Sequence, residues 1–174
     1  MEQSGAGDSV FRVLFVCTGN TCRSPMAETI ARTGARQQGL DWLQVESAGT
    51  MAAPGNPASA GLADEASRHG LSVEEHVSRL LTAEMVAEAD FIVGMSVSHL
   101  LAVLDLSPDA PLALVTHFLN AADTRHGQDV DDPIGGGGPA YESTWLLLEE
   151  CVERLIEQVQ RELPADYDPE DEIE

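Results

Sequence analysis

Val13-Leu14-Phe15-Val16-Cys17-Thr18-Gly19-Asn20-Thr21-Cys22-Arg23-Ser24-Pro25 decides how this chain folds. From Val10 to Val16 the residues are apolar and often β-branched, broken only by Arg12. That is the pattern of a strand buried on both faces in a parallel sheet. Ser24-Pro25 reads as a helix start, a capping-type residue followed by proline at the first helical position. Met26, Ala27, Ile30 and Ala31 then recur at helical spacing. Gly19 and Asn20 tolerate left-handed backbone angles, so the short loop between strand and helix can curl tightly. Such a loop turns N–H groups inward beside a helix N-terminus and forms an anion nest. Cys17 lies at the base of this nest, and Arg23, six positions on, brings a planar fork for two phosphate oxygens. A thiol in such surroundings is held as thiolate, the nucleophilic form. The layout therefore predicts thiolate attack on a phosphoester or phosphoramidate. The plain alternative, a structural cysteine before an ordinary strand–helix turn, fits the cysteine but not the whole constellation.

Working outward, strands are expected at 10–16, 43–48, 90–95 and 111–115. Helices are expected at 24–38, 57–69, 82–89, 97–104 and 139–162. Alternation of this kind predicts a single-domain, three-layer α/β fold: a four-stranded parallel sheet with helices on both faces. Cys17 then falls at the carboxyl end of the first strand, where open α/β sheets bind ligands. The domain is expected over 9–163, after a flexible N-terminus at 1–8. Beyond it, 164–174 is rich in Asp and Glu with Pro164 and Pro169, and reads as a disordered tail.

The net charge of −21 is far from that of a nucleic-acid-binding protein. All nine cationic residues are arginine, which excludes a Walker-type lysine and Schiff-base chemistry. No apolar run reaches membrane-span length and no signal peptide opens the sequence, so neither nucleic acid nor membrane is an expected partner. Three cysteines, two of them in the reactive loop, fit a reducing compartment and a cytoplasmic location. The histidines at 69, 99, 117 and 126 show no metal-ligand spacing and read as ordinary polar residues; neither metal nor cofactor is expected. Cys151 shares a helical stripe with Leu148, Val152, Leu155 and Val159 and reads as packing.

These residues resemble the low-molecular-weight protein tyrosine phosphatase family. Its Cys-x5-Arg loop, Ser-Pro and Ala-Glu stand here as Cys17 to Arg23, Ser24-Pro25 and Ala27-Glu28. The likeness runs on through Ser47-Ala48-Gly49, Glu75-His76-Val77-Ser78-Arg79, Asp90 to Met95 and Asp132-Pro133. The resemblance implies Cys17 as nucleophile and Arg23 as the phosphate-binding, transition-state-stabilising group. It implies Asp132 as general acid. Thr18, Gly19, Asn20, Thr21, Cys22 and Ser24 would form the phosphate-binding loop, with Ser24 donating to the thiolate. Asn20, Ser47 and His76 would support its shape. No cofactor is implied; the partners are a phosphorylated protein and, in the loop, inorganic phosphate or another oxyanion. Taken alone, Asp132-Pro133 could equally be a surface turn, and Gly135 to Gly138 either a passive connection or a hinge for the acid loop. Cys22 is either a small inward-pointing side chain or, as the family implies, the partner of Cys17 in a reversible redox disulfide.

The branch most resembled is the bacterial protein-arginine phosphatases. Thr21 stands where phosphotyrosine members commonly carry a larger aliphatic residue. Ile134 follows Asp132-Pro133, where tyrosine-directed members tend to carry an aromatic residue and the arginine branch a phenylalanine. Thr21 and Ile134 are thus the substrate-pocket candidates. Phosphoarginine is favoured over phosphotyrosine, and a catalytically retired module that binds phosphorylated partners is the reading from another class. Arsenate reductases share the fold but need two further cysteines close together in a later loop, which this chain lacks.

Overall fold

Both faces of the first strand are covered, which is why nearly every position in it is apolar. The computed structural model describes residues 10–163; the expected flexible start and acidic tail lie outside the described residues. In chain order the elements are β1 (Phe11–Cys17), α1 (Arg23–Gln38), β2 (Leu43–Gly49), α2 (Ala60–Arg68), α3 (Ala83–Glu88), β3 (Phe91–Gly94), α4 (Val97–Leu106), β4 (Leu112–Leu114) and α5 (Gly137–Glu162). Side chains alternate along β1. Val13, Phe15 and Cys17 enter one core with Met26 and Ala31 of α1 and Trp145, Leu148 and Val152 of α5. Leu14 and Val16 enter the other, with Ala48, Val86 of α3, Ile92 and Val103 of α4.

The four strands are parallel in the order β2-β1-β3-β4. Strand order reverses at β1, so the crevice beyond its carboxyl end is the topological switch point. Cys17 is the last residue of β1 and pairs in register with Gly49. The expected α/β architecture, with its phosphate-loop candidate after the first strand, is the one observed.

Element ends shift by one to three residues, and four of these shifts have a plain physical reason. Helix α1 begins at Arg23 rather than Ser24, with Cys22 as its N-cap. Ser24 does not cap the helix, because its hydroxyl faces the Cys17 sulfur instead. Pro25 is therefore the third helical residue, still among the first-turn positions whose N–H has no intrahelical partner. Helix α2 begins at Ala60, not 57: the Ser59 N–H donates to the Thr21 carbonyl at 2.8 Å, and its hydroxyl caps Leu62. Strand β4 stops at Leu114, and Val115–Phe118 form a 3₁₀ turn in which the Thr116 hydroxyl donates to the Gln128 carbonyl. Helix α5 starts two residues earlier than expected, at Gly137. Gly135 and Gly137 adopt φ of 81° and 72°, so the glycine run is a shaped turn that requires residues without Cβ.

Candidate active site

The loop after β1 is held by its carbonyls. Those of Cys17, Thr18 and Thr21 accept from Thr50, Met51 and Ser59 N–H at 2.9, 3.0 and 2.8 Å, and that of Cys22 accepts from Met26 inside α1. His76 Nε2–H donates to the Asn20 carbonyl at 2.6 Å, which fixes the tautomer because a carbonyl can only accept. The N–H groups of residues 18–22 donate to no protein acceptor among the described residues. The first-turn N–H groups of α1 lie just beyond. Carbonyls bound outward and N–H groups left free are what an anion nest requires.

Asn20 makes this curl possible. It is fully buried and sits at φ 55°, the left-handed region. Its Oδ1 accepts from the Arg79 N–H at 2.8 Å, so the Nδ2 group must face the other way. Nδ2 donates to Ser24 Oγ and Ser47 Oγ, each at 2.9 Å. Both hydroxyl protons are then free to point onward. Ser47 donates to the Glu28 carboxylate, which also takes Arg32. Ser24 Oγ lies 2.9 Å from Cys17 Sγ, placed to donate to a thiolate. Gly49 is dictated by the same loop: a Cβ there would stand 2.5 Å from the Thr18 carbonyl oxygen and 2.9 Å from the Asn20 nitrogen.

Arg23 is nearly buried and reaches from α1 to the loop before α5. Its Nη1 donates to the Val130 carbonyl at 3.0 Å, and its Nη2 pairs with Asp132 at 3.3 Å. Asp132 is half exposed, and its other oxygen accepts from the Ile134 N–H at 3.1 Å. The carboxylate meeting Arg23 is thus Asp132 rather than its neighbour Asp131. Residues widely spaced in sequence — Cys17, Arg23, Ser24, Asn20, Ser47, His76 and Asp132 — are gathered around one loop. Thr21 is part of the same loop; a Cβ on Gly19 would be 3.7 Å from the Thr21 hydroxyl. Ile134 is 58% exposed beside Asp132 and borders a cleft of about 460 Å³ shared with Ser59, Arg68 and Tyr141.

Burial disfavours the thiolate at Cys22 and Cys151, pushing the pKa of each up to about 12. At Cys22 the Asp132 and Cys17 charges add to that rise, and hydrogen bonding to Tyr141 and Ser59 only partly offsets it.

Several residues that build the site are given no role by the sequence alone. Glu28 is four residues after Ser24, the spacing that puts two helical side chains on one face, and so was findable. Arg79 supplies its backbone N–H to Asn20, and its guanidinium donates to the Ser47 carbonyl at 3.0 Å. His99 is the clearest miss. Instead of an ordinary polar residue it is 2% exposed, with Nε2 2.8 Å from Thr18 Oγ1 and Nδ1 2.9 Å from Ser96 Oγ. Burial, then Arg23, lowers its pKa from 6.5 to about 4, against weaker opposing pulls from Asp129 and Asp132. The sign follows from linkage. The unfolded chain takes up this proton first, so stability falls as pH drops from about 6.5 to about 4 and the penalty is complete below that. Its size is of order 3 kcal/mol. Urea unfolding across this range should show a shallower pH slope for His99→Leu than for the wild type; parallel slopes would mean that His99 does not carry the linkage.

The family model described as low molecular weight phosphotyrosine protein phosphatase matches residues 12–165. The low molecular weight protein-tyrosine-phosphatase Etp of Escherichia coli strain K12 is 32% identical over 151 residues, covering 86% of this chain and 95% of that one. A protein-arginine-phosphatase of Bacillus subtilis strain 168 is 33% identical over 153 residues, covering 86% and 97%. Among solved structures, a cysteine-to-serine mutant of the YwlE arginine phosphatase, with a phosphorylated active-site serine, superposes with a TM-score of 0.79 at 31% identity. That match covers 87% of this chain and 97% of the other.

Proposed function

We propose that this chain, which belongs to the low molecular weight phosphotyrosine protein phosphatase family, is a cysteine-dependent phosphoprotein phosphatase working through a phosphocysteine intermediate. The observation that carries the reading is the inside-out loop, with Cys17 at its base and Arg23 and Asp132 paired at its rim. The loop N–H groups and Arg23 hold the phosphoryl oxygens. The Cys17 sulfur attacks phosphorus: the S–P bond forms, the bond to the leaving atom breaks, and Asp132 gives that atom its proton. Asp132, now a carboxylate, takes a proton from water. The water oxygen attacks phosphorus, the S–P bond breaks, and inorganic phosphate leaves. Ser24 steadies the thiolate at both ends of the cycle.

The substrate we favour is protein phosphoarginine. Thr21 is a partly exposed loop residue whose hydroxyl a guanidinium or the attacking water could use. An acidic protein also suits basic substrate segments. The second reading, phosphotyrosine, draws on the likeness to Etp; Ile134, exposed beside Asp132, departs from the residue usual in either branch and favours neither. Redox control follows from the loop: peroxide converts Cys17 to a sulfenic acid, Cys22 condenses with it, and water leaves as the disulfide forms. The high pKa of Cys22 keeps it out of competition with Cys17 until then. We place the enzyme in the cytoplasm on its free thiols.

The test is hydrolysis of matched phosphoarginine and phosphotyrosine peptides by the wild type and Thr21→Ile. The wild type should prefer phosphoarginine. The substitution exchanges a hydroxyl for aliphatic bulk and leaves Cys17 and Arg23 in place. The ratio of kcat/KM values should move toward phosphotyrosine by at least about tenfold, ~1.4 kcal/mol of differential transition-state binding. A wild-type preference for phosphotyrosine with an unchanged ratio in the variant would make the second reading correct.

A further inference from the structure

We infer that His99 is a positioning residue of this phosphatase, one that fixes the phosphate-binding loop from its β3–α4 side by holding Thr18; the inference rests on the function proposed above. The Asn20 network, with Ser47, His76 and Arg79, braces the loop only from the β2 side. Thr18, which directly follows Cys17, is braced from the opposite side by His99 Nε2 at 2.8 Å. His99 is itself held by Ser96 Oγ at the N-terminus of α4, and Ser96 Oγ lies 2.8 Å from Ser98 Oγ. Both ring nitrogens are therefore engaged. A neutral imidazole, with one donor and one acceptor, matches two hydroxyl partners, whereas an imidazolium would set a second cation beside Arg23.

The turn that holds His99 also holds the acid loop. Asp129 Oδ1 accepts from the Val97 N–H at 2.9 Å, and the Val130 N–H donates to the Met95 carbonyl at 2.8 Å. The Val130 carbonyl in turn takes Arg23. The contacts close a ring: Thr18 to His99, His99 to the β3–α4 turn, that turn to the acid loop, and the acid loop to Arg23 at the other end of the phosphate loop. Thr18 also presents one of the free N–H groups. A displacement of about 1 Å there would move both that donor and the neighbouring sulfur, enough to degrade a preorganised site.

The test separates the two ring nitrogens. The carboxamide of Asn reaches the place of Nδ1, toward Ser96, and that of Gln reaches the place of Nε2, toward Thr18. We measure inorganic phosphate as a competitive inhibitor, and kcat/KM on p-nitrophenyl phosphate, for His99→Gln, His99→Asn, His99→Leu and Thr18→Val. Gln should stay within about twofold of wild type. Asn, Leu and Thr18→Val should each weaken phosphate binding and lower kcat/KM by about tenfold. Thr18→Val should add nothing further in the His99→Leu background. Equal behaviour of Asn and Gln, or additive losses, overturns the inference. If His99→Leu does not fold, Thr18→Val decides alone, since it keeps the side-chain shape: unchanged phosphate affinity overturns the inference. Wild-type protein that is not inhibited by phosphate and does not turn over the aryl phosphate would instead overturn the proposed function.

Discussion

Cys17→Ser should abolish turnover while leaving oxyanion binding within a few-fold of wild type. The free N–H groups of the loop and the guanidinium of Arg23 survive the change, so the phosphoryl cradle is intact. On the proposed mechanism, what is lost is the nucleophile. A serine hydroxyl is not ionised at neutral pH and needs an adjacent base, yet the group beside it, Ser24, is another hydroxyl. The variant can at most trap a single phosphoryl group, because an oxygen ester at that position is a far poorer leaving group than a thiolate. The serine-bearing relative whose active site carries a phosphoryl group is consistent with that outcome. Steady-state assays with a small aryl phosphate, paired with phosphate titration by calorimetry, check both halves. Sustained activity above background in the variant would reject the thiolate mechanism. Loss of phosphate binding together with activity would mean that the loop is not the cradle.

Asp132→Ala should slow hydrolysis of substrates with poor leaving groups by about 10²–10⁴-fold, the usual contribution of general acid catalysis. Substrates with good leaving groups need less protonation and should be slowed less. Phosphoarginine belongs with the sensitive class, since its guanidine departs best when protonated. Phosphate affinity should hold or improve, because the substitution removes a carboxylate that pairs with Arg23 at 3.3 Å and competes with the anion. That combination, slower chemistry with no weaker binding, separates an acid from a structural residue. Asp131→Ala is the control: a larger rate loss there than at Asp132 would shift the acid by one residue.

The fold and the loop were legible because they depend on local patterns. A short apolar run with β-branched residues, ending at a Gly-Asn loop, reads as a strand covered twice, and Gly19-Asn20 before an arginine and a helix start implies a tight curl. At the starts of α1 and α2 a tertiary bond overrode a local rule. Ser24 would cap α1 by propensity, but its hydroxyl is engaged by Cys17 and Asn20. Pro57 and Ala58 carry helix-start character, yet the helix waits for Ser59, whose N–H is spent on Thr21. His99 was illegible for a deeper reason. Its partner is 81 positions away, and one sequence holds no periodicity that joins a histidine on α4 to a threonine after β1.

Those separations bear on how the protein comes to be active. The Arg23–Asp132 pair closes over 109 positions, Thr18–His99 over 81 and Arg79–Asn20 over 59. Contacts of such high order form late, after loop-closure entropy has been overcome, and chains rich in them fold slowly. A nascent chain that has made β1, α1 and β2 already carries Cys17, Arg23 and Ser47 but has neither acid nor outer brace. On the proposed mechanism, activity is therefore a property of the finished fold, complete only once the loop carrying Val130 and Asp132 has met Arg23.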